Sequence, residues 1–256
     1  MTAFIIKLIA CITMLIDHIG FVFEEPLAAI HPALPLAMRC IGRLAFPLFA
    51  FGIAEGATHT SSPTKYLVRM FIFALIAQFP FMLMCGTHYP EFTLNIFQHQ
   101  VPLYKGGSVM VTLFLGLAVC VSIHEGKHFG AALALVVAYV MDKLVGMDYG
   151  FLGVVYVAAI YFARNSNWGR LLVMVLFAAC FYISPLTNFV KALADGASSL
   201  ANKKGVYYFI GMCVPAILLL FYKGKQGPKL KYAVYAFYPL HMCVLWVIWA
   251  LKNIYV

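Results

Sequence analysis

Long apolar runs, separated by short polar segments, dominate the chain. The runs lack the alternation of polar and apolar residues that marks a half-buried strand, and most are long enough for a helix that crosses a bilayer. The pattern predicts an all-α, polytopic integral membrane protein, a helical bundle with about nine transmembrane helices. The predicted spans are 4–23, 35–54, 66–84, 108–123, 129–145, 149–163, 168–187, 205–222 and 232–251.

Two stretches depart from this pattern. Residues 185–204 are too polar to cross a membrane, so we expect an interfacial segment there. Residues 86–107 form the longest predicted loop between the early spans, and long loops of this kind often cover a site or recognise a partner. No internal repeat is evident, and we expect residues 1–256 to form a single transmembrane domain.

The amino-acid composition excludes several classes of protein. Residues of the AVILMFWYC set make up 64% of the chain and charged residues 11%, whereas a soluble domain is nearer half apolar and a quarter charged. A soluble domain, a disordered chain and a disulfide scaffold are therefore excluded. The seven cysteines form no CxxC pair, which indicates small packing residues within helices.

The formal net charge of +9 indicates membrane orientation rather than nucleic-acid binding. Most basic residues stand at the ends of apolar runs, and no nucleic-acid-binding motif accompanies them. More of them fall on the inner side if the N-terminus is cytoplasmic, so we expect that orientation. The densest basic cluster, which we expect to attract the phosphates of a charged ligand, consists of Lys223, Lys225, Lys229 and Lys231.

Several ionisable residues lie inside predicted spans, where each costs several kcal/mol. They are Asp17 and His18 in the first span, Arg39 and Arg43 in the second, and His241 in the last, with Glu55 at the inner end of the second. Counted from the helix ends, His18, Arg43 and His241 lie at similar depths. We therefore expect the three to converge, provided that their helices are neighbours.

These residue types suit acyl transfer. A histidine beside a carboxylate acts as a general base, and an arginine binds a phosphate or stabilises an oxyanion. Two alternatives stay open at this point. Asp17 and Arg43 would be a structural charge pair with His241 a core histidine, or the same residues would line the path of a proton-coupled transporter or channel.

Other candidates carry less information. His59 follows Glu55 by four residues, so the pair either faces a charged cofactor or is solvated. The remaining histidines lack metal-ligand spacing, and we predict no metal site. No phosphate-binding glycine motif of the GxxxxGK[ST] or GxGxxG type occurs.

Several segments, taken in order along the chain, resemble the TraX family of pilin-acetylation membrane proteins. They include KLIACITMLIDHIG at 7–20, RCIGRLAFPLFAFGIAEGATHT at 39–60, YLVRMFIFALIAQFPF at 66–81, SVMVTLFLGL at 108–117, DYGFLGVVYVAAIYFAR at 148–164 and KYAVYAFYPLHMCVLWVI at 231–248. Ser108 stands where asparagine is more usual in that family. The resemblance is weak over 86–107 and 185–204.

The resemblance implies a bacterial cytoplasmic-membrane acetyltransferase that uses acetyl-CoA. The acceptor would be an amine or hydroxyl on a pilin or another cell-surface molecule, with no nucleic acid involved. The resemblance assigns His18 as base, with Asp17 as its orienting partner, and makes His241 a second catalytic residue. It implies that Arg43 binds the acyl donor or the developing oxyanion, and that Tyr238 forms a YxxH-like pattern with His241. The residues that we predict to bind the acyl donor are Arg43, Arg39, Glu55, His59 and Tyr238.

Overall fold

The fold is known from a computed structural model, which describes residues 1–96, 99–194, 200–228 and 231–253. In this part of the chain every predicted apolar run forms a helix, and one two-stranded hairpin is added. The helices are α1 (Ala3–Val22), α2 (Glu24–Ile30), α3 (Leu34–Gly42), α4 (Ala45–His59), α5 (Pro63–Gly86), α6 (Val109–His124), α7 (His128–Leu144), α8 (Gly150–Ala163), α9 (Asn167–Ala194), α10 (Leu200–Leu220) and α11 (Lys231–Asn253); the strands are β1 (Phe92–Ile96) and β2 (His99–Leu103).

Six helical segments are long and apolar enough to cross a membrane, which confirms a multi-pass helical protein. They are α1, the combined segment Leu34–His59, α5, α9, Lys203–Leu220 and Tyr232–Asn253. The three other predicted spans form α6, α7 and α8, of 16, 17 and 14 residues, which are shorter than the roughly 20 residues a straight span needs. The number nine therefore stays a prediction.

The second predicted span is interrupted between α3 and α4, beside Arg43. The backbone tightens there, because the N–H of Arg43 donates to the carbonyl of Cys40 and that of Leu44 to Ile41. Pro47 has no N–H to donate to the carbonyl of Arg43, which would be its helical partner. The break therefore lies next to one of the predicted site residues.

The predicted interfacial segment is not a separate helix in the described part of the chain. Residues 185–194 continue α9 and residues 200–204 begin α10, while 195–199 lie outside the described residues. The chain instead bends at Tyr182, which has non-helical dihedral angles of φ −117° and ψ 19°. Pro185 lacks an N–H and so removes the helical bond to the carbonyl of Phe181.

The predicted loop at 86–107 contains an antiparallel hairpin. Its register pairs Phe92 with Leu103 and Ile96 with His99. Strand β2 packs on α5, where Val101 and Leu103 are buried against Leu83. The hairpin therefore packs against the membrane helix α5.

The described chain divides into two compact units. Unit 1 comprises Met1–Phe49 and Ala163–Lys229, and unit 2 comprises Ala50–Phe162 and Leu230–Val256. In unit 1, α1 packs on α3, α3 on α10 and α10 on α9; in unit 2, α5 packs on α6 and α11, and α6 packs on α7. The single domain over 1–256 stays a prediction.

In unit 1, backbone hydrogen bonds join the N-terminus to the segment after α10. The N–H of Lys223 donates to the carbonyl of Met1 at 3.1 Å, and that of Ala3 donates to Lys225 at 2.8 Å. The terminal amine of Met1 donates to the carbonyl of Phe221. The start of α1 and the end of α10 therefore lie on the same side of a membrane.

In unit 2, a second set of bonds restricts how the short helices cross. The N–H of Gly107 donates to Gly146 and the N–H of Asp148 donates to Gly107, both at 2.8 Å. The chain thus returns after α7 to the level at which α6 began, so these two helices add an even number of crossings. Because the start of α1 and the end of α10 lie on the same side, the chain crosses the membrane an even number of times before residue 221. The five long segments before residue 221, together with the even number from α6 and α7, give an odd total, so α8 must also cross.

This topology predicts the side on which three exposed positions are labelled. A cysteine introduced at Asn165 or at Lys225 should react with a membrane-impermeant maleimide from the side of the N-terminus, and one at Lys105 only from the opposite side. The measurement is labelling of intact cells and of inverted vesicles, with the wild-type chain as background for the native cysteines. Labelling of the Asn165 and Lys105 cysteines from one side would mean that α8 does not cross.

Candidate functional site

In unit 1, one carboxylate holds two arginines between α1 and α3. Nη1 of Arg39 lies 2.5 Å from Oδ2 of Asp17, and Nη2 of Arg43 lies 2.8 Å from Oδ1. The side chain of Asp17 is 9% exposed, and those of Arg39 and Arg43 are 25% and 15% exposed. Each carboxylate oxygen therefore accepts a charge-assisted hydrogen bond away from bulk water.

Local sequence explains why these three side chains meet. Arg39 and Arg43 are four residues apart at the end of α3, so they project from one face. Gly42 lies directly against Asp17, and a Cβ on Gly42 would overlap the Asp17 carboxylate. Gly20 likewise lets α1 approach the Cβ of Met38 and the backbone carbonyl of Pro35. Small residues at the crossing thus bring the charges within hydrogen-bonding distance.

Two tyrosines surround the arginines. Arg39 donates to the hydroxyl of Tyr208 on α10, and Arg43 donates to the hydroxyl of Tyr182 at the bend of α9. The Cζ atom of Arg43 lies 5.1 Å from the centre of the Tyr208 ring, and the two tyrosine rings meet edge to face at 5.8 Å. The bend at Tyr182 therefore lies at the site itself.

The close packing of α10 against α3 continues this arrangement. Gly211 lies against the carbonyl of Cys40 and the Cβ of Arg43, so a larger residue would separate the helices. The thiol of Cys40 donates to the carbonyl of Tyr207 at 3.0 Å. We call Asp17, Arg39, Arg43, Tyr182 and Tyr208 the arginine cluster.

The arginine cluster contains more positive than negative charge. Its two guanidiniums face one carboxylate, and a tyrosine phenol is ordinarily uncharged at neutral pH. Charged residues inside a membrane unit are expensive, and they are generally found where a ligand or a polar path needs them. A phosphate, a carboxylate or an oxyanion is the complementary ligand.

His18 is half-buried on α1, directly after Asp17. Adjacent residues of a helix point about 100° apart, so His18 projects from a different face of α1 than Asp17. The contacts of the Asp17 carboxylate described above go to the two arginines. The charge pair between Asp17 and Arg43 is thus confirmed as a contact, while the orientation of His18 by Asp17 stays a prediction.

The last predicted catalytic residue, His241, belongs to unit 2. It is 6% exposed, and its Nδ1 lies 2.6 Å from the carbonyl oxygen of Phe237, one turn earlier on α11. Because a carbonyl oxygen only accepts, Nδ1 carries the proton and Nε2 of the neutral ring is the acceptor. Tyr238 is 4% exposed, with its ring 5.8 Å from that of His241. The convergence of His18, Arg43 and His241 stays a prediction.

Glu55 and His59 also lie in unit 2, at the end of α4. Glu55 is 8% exposed, and Nδ1 of His59 lies 2.9 Å from its carbonyl oxygen and 3.9 Å from its Oε2. The four-residue spacing thus brings the two side chains together as expected. Within the described residues, no three metal-ligating side chains cluster.

The basic segment after α10 is only partly described. Lys223 and Lys225 are exposed, beside the bonds to the N-terminus. Lys229 and the side chain of Lys231 lie outside the described residues. The two described lysines are accessible to a phosphate-bearing ligand on the N-terminal side.

Sequence reasoning missed Tyr182, Tyr208 and Lys204. The Nζ of Lys204 lies 5.7 Å from the centre of the Tyr208 ring, on the same face of α10. Their four-residue spacing was a usable signal, although Lys204 ends the predicted interfacial segment 185–204 and only Tyr208 lies in the predicted span 205–222. Nothing along the chain marked Tyr182, because its contribution depends on the bend in α9.

The fold and the site together define a multi-pass membrane protein with a cationic cluster inside one helical unit. The sequence profile of the family described as TraX protein matches residues 3–249. The chain belongs to the TraX family. It is also 26% identical over 250 residues, covering 95% of this chain and 94% of the relative, to the protein named "Probable fimbrial assembly protein FimC, serogroup H1" of Dichelobacter nodosus. No solved structure matches.

The packing of Gly42 on Asp17 predicts that Gly42→Ala destabilises the protein. The added methyl group overlaps the carboxylate and displaces it from the arginines, at a cost of about 1–3 kcal/mol. Thermal unfolding of the purified protein in detergent measures this as a lowered Tm.

The matched control is Gly130→Ala on α7, where the nearest atom to a new Cβ is Oγ of Ser122 at 3.1 Å. That side chain is small and can move, so the control should unfold close to the wild type. Equal Tm values for Gly42→Ala and the wild type would contradict the close packing of α1 on α3.

Proposed function

We propose that this protein is an integral membrane acetyltransferase. It transfers an acetyl group from acetyl-CoA to an amine or hydroxyl of a pilin-type or cell-surface acceptor, in the bacterial cytoplasmic membrane with a cytoplasmic N-terminus. The observation that carries the proposal is the arginine cluster, in which Asp17, the residue before His18, binds the guanidiniums of both Arg39 and Arg43. Membership of the TraX family and a relative named for fimbrial assembly support it.

The donor set fits an acyl-CoA. Arg39 and Arg43 supply planar guanidiniums suited to negatively charged oxygens, and Lys223 and Lys225 are exposed on the N-terminal side for phosphates. Acetyl-CoA, when bound, supplies the acetyl group as an activated thioester. Glu55, His59 and Tyr238, which belong to unit 2, stay predicted donor-binding residues.

The roles of the arginine cluster follow from its chemistry. The guanidiniums of Arg39 and Arg43 stabilise the negative charge that develops during acyl transfer. Asp17 fixes their positions, and the hydroxyls of Tyr182 and Tyr208 restrain them from a second side. Asp17 thus acts as a positioning residue for the arginines as well as being the proposed partner of His18.

His18 is the proposed base. One nitrogen of its imidazole accepts the proton from the acceptor amine or hydroxyl, and the protonated ring returns it to the leaving group. His241 is the second candidate, because its Nδ1 proton is held by the carbonyl of Phe237 and Nε2 remains as the proton acceptor. Both histidines are retained in the proposal, and mutation separates their roles.

The first test is stabilisation by the acyl donor. Acetyl-CoA should raise the Tm of the purified full-length protein, and CoA lacking its 3′-phosphate should do so less, because it offers fewer negative charges to the basic groups. A transporter, a channel or a non-catalytic assembly factor predicts no stabilisation by either compound. Absence of any acetyl-CoA effect would therefore remove the acyltransferase proposal.

The second test is loss of acetyl transfer in His18→Ala. We expect a decrease of at least about 100-fold, the usual contribution of a general base, in radiolabelled acetyl incorporated into envelope material by isolated membranes. His241→Gln distinguishes the two bases, and a comparable Tm shows that each variant folds.

The matched control is His124→Gln, which changes an exposed histidine bonded to the hydroxyl of Tyr161 and remote in the chain from the proposed bases. It should retain acetyl transfer. Full activity of His18→Ala would exclude His18 as the base.

A further inference from the structure

A further arginine lies inside a membrane segment of unit 2. Arg69 belongs to α5 and donates to the hydroxyl of Tyr235 on α11, the helix that packs on α5. Its Cζ atom lies 5.6 Å from the centre of the Tyr66 ring, and the ring of Tyr235 stacks on that of Phe73 at 5.0 Å. Lys65 stands four residues before Arg69, so the two cations share a face of α5. We call Lys65, Arg69 and Tyr235 the α5 basic site.

The contacts of Arg69 do not neutralise its charge. A phenol oxygen accepts a hydrogen bond and a phenol ring attracts a cation, but a tyrosine is ordinarily uncharged at neutral pH. Nε of Arg69 is buried and bonds to no described acceptor. The ion pairs found among the described residues include neither Arg69 nor Lys65. An anion with oxygen acceptors therefore complements this site.

The hydrogen bonds of Tyr235 leave one donor for such an anion. Its oxygen accepts from Arg69 and from the hydroxyl of Tyr66, so both lone pairs are used and its own O–H is left to donate. Arg69 and Tyr235 are half-buried, and Lys65 is exposed. The site thus offers a guanidinium, an ammonium and a hydroxyl, which are donors suited to phosphate oxygens.

The depth of the site matches the headgroup level of one leaflet. Two long segments precede α5, so α5 begins on the side of the N-terminus, and α11 begins there as well, shortly after the segment bonded to the N-terminus. Arg69 lies about 9 Å and Tyr235 about 6 Å from the starts of their helices, at about 1.5 Å per residue. The guanidinium contacts the ring of Tyr66, one turn earlier, and is therefore directed back toward the membrane surface.

An exposed apolar stripe continues from Arg69 along α5. Ile72 and Ile76, three and seven residues after Arg69, are 46% and 51% exposed, and Leu75 is 61% exposed. A soluble anion gains nothing from such a surface, whereas the acyl chains of a lipid pack along it. The site and the stripe together therefore fit an amphipathic ligand, with its anionic end on the side of the N-terminus.

We propose that the α5 basic site binds the phosphate of an anionic phospholipid in the leaflet on the side of the N-terminus. Basic groups between membrane helices recognise such headgroups, and two cations favour a lipid of net negative charge over a zwitterionic one. The bound phosphate joins α5 to α11, because it is shared between Arg69 on one helix and Tyr235 on the other. The site uses none of the residues proposed for acyl transfer and does not depend on that function.

The probe is phosphatidylglycerol, an anionic phospholipid. Thermal unfolding of the full-length protein is measured, without acetyl-CoA, in nanodiscs of phosphatidylcholine with a rising fraction of phosphatidylglycerol. The Tm of the wild type should rise and saturate. Lys65→Gln and Arg69→Gln should raise the fraction needed for half of this effect by about twofold and fivefold. Lys65→Arg, which keeps the charge, should restore the wild-type value, and because Lys65 is exposed its variants test the proposal even if Arg69→Gln fails to fold.

The matched control is Lys225→Gln, which removes an exposed cation on the same side of the membrane but in unit 1. It should need the same fraction of phosphatidylglycerol as the wild type. Equal shifts in Lys225→Gln and Lys65→Gln would indicate general charge attraction and overturn the proposal. So would a wild-type Tm that does not depend on the phosphatidylglycerol fraction.

Two further arms separate the sources of a phosphate. Inorganic phosphate, added to the protein in phosphatidylcholine nanodiscs, should not reproduce the stabilisation, because it cannot use the apolar stripe; equal stabilisation would overturn the lipid assignment. Acetyl-CoA should raise the Tm of Arg69→Gln as much as that of the wild type, and a smaller effect would assign Arg69 to the donor site and overturn the proposal. Stabilisation by phosphatidylglycerol without any by acetyl-CoA would remove the acyltransferase function and leave the lipid site standing.

Discussion

The sharing of one carboxylate by two guanidiniums organises unit 1. Asp17 bonds to Arg39 through one oxygen and to Arg43 through the other, so α1 and α3 are fixed at a single crossing. Leaving any of these charges unpaired in a membrane unit costs several kcal/mol. Gly42 has no side chain, so α1 and α3 approach closely enough there for the Asp17 carboxylate to reach both arginines. Moving either helix would separate charges that lack bulk water to solvate them.

Irregular backbone occurs at two points next to the arginine cluster. The chain is interrupted between α3 and α4 directly after Gly42, and α9 bends at Tyr182, whose hydroxyl accepts from Arg43. Proline removes a helical donor near both points, at Pro47 and Pro185. Non-helical backbone within a membrane is tolerated where it is buried in protein or lines a polar cavity. Both interruptions therefore mark the same region of unit 1 as a polar site.

The two units contain different kinds of polar residue. Unit 1 concentrates charge, with arginines, one carboxylate and a lysine around two phenols. In unit 2, the polar residues include His241, whose Nδ1 lies beside a backbone carbonyl, and Glu55 with its neighbour His59. Unit 1 thus brings cationic groups together around Asp17, while in unit 2 the Nδ1 atom of His241 lies within hydrogen-bonding distance of the Phe237 carbonyl.

The sequence by itself determined the helical membrane class and the positions of the apolar runs. It also identified Asp17, Arg39 and Arg43 as ionisable residues inside membrane spans. These follow from the cost of exposing apolar surface and of burying charge, which the order of residue types records directly. The i,i+4 pairs Arg39 with Arg43 and Glu55 with His59 were also readable, because helical spacing is local. Only the tertiary structure decided that both arginines bind one carboxylate, and that Tyr182, Tyr208 and Lys204 join them. Those contacts depend on the bend of α9 and on the packing of α10 against α3, which no local pattern specifies.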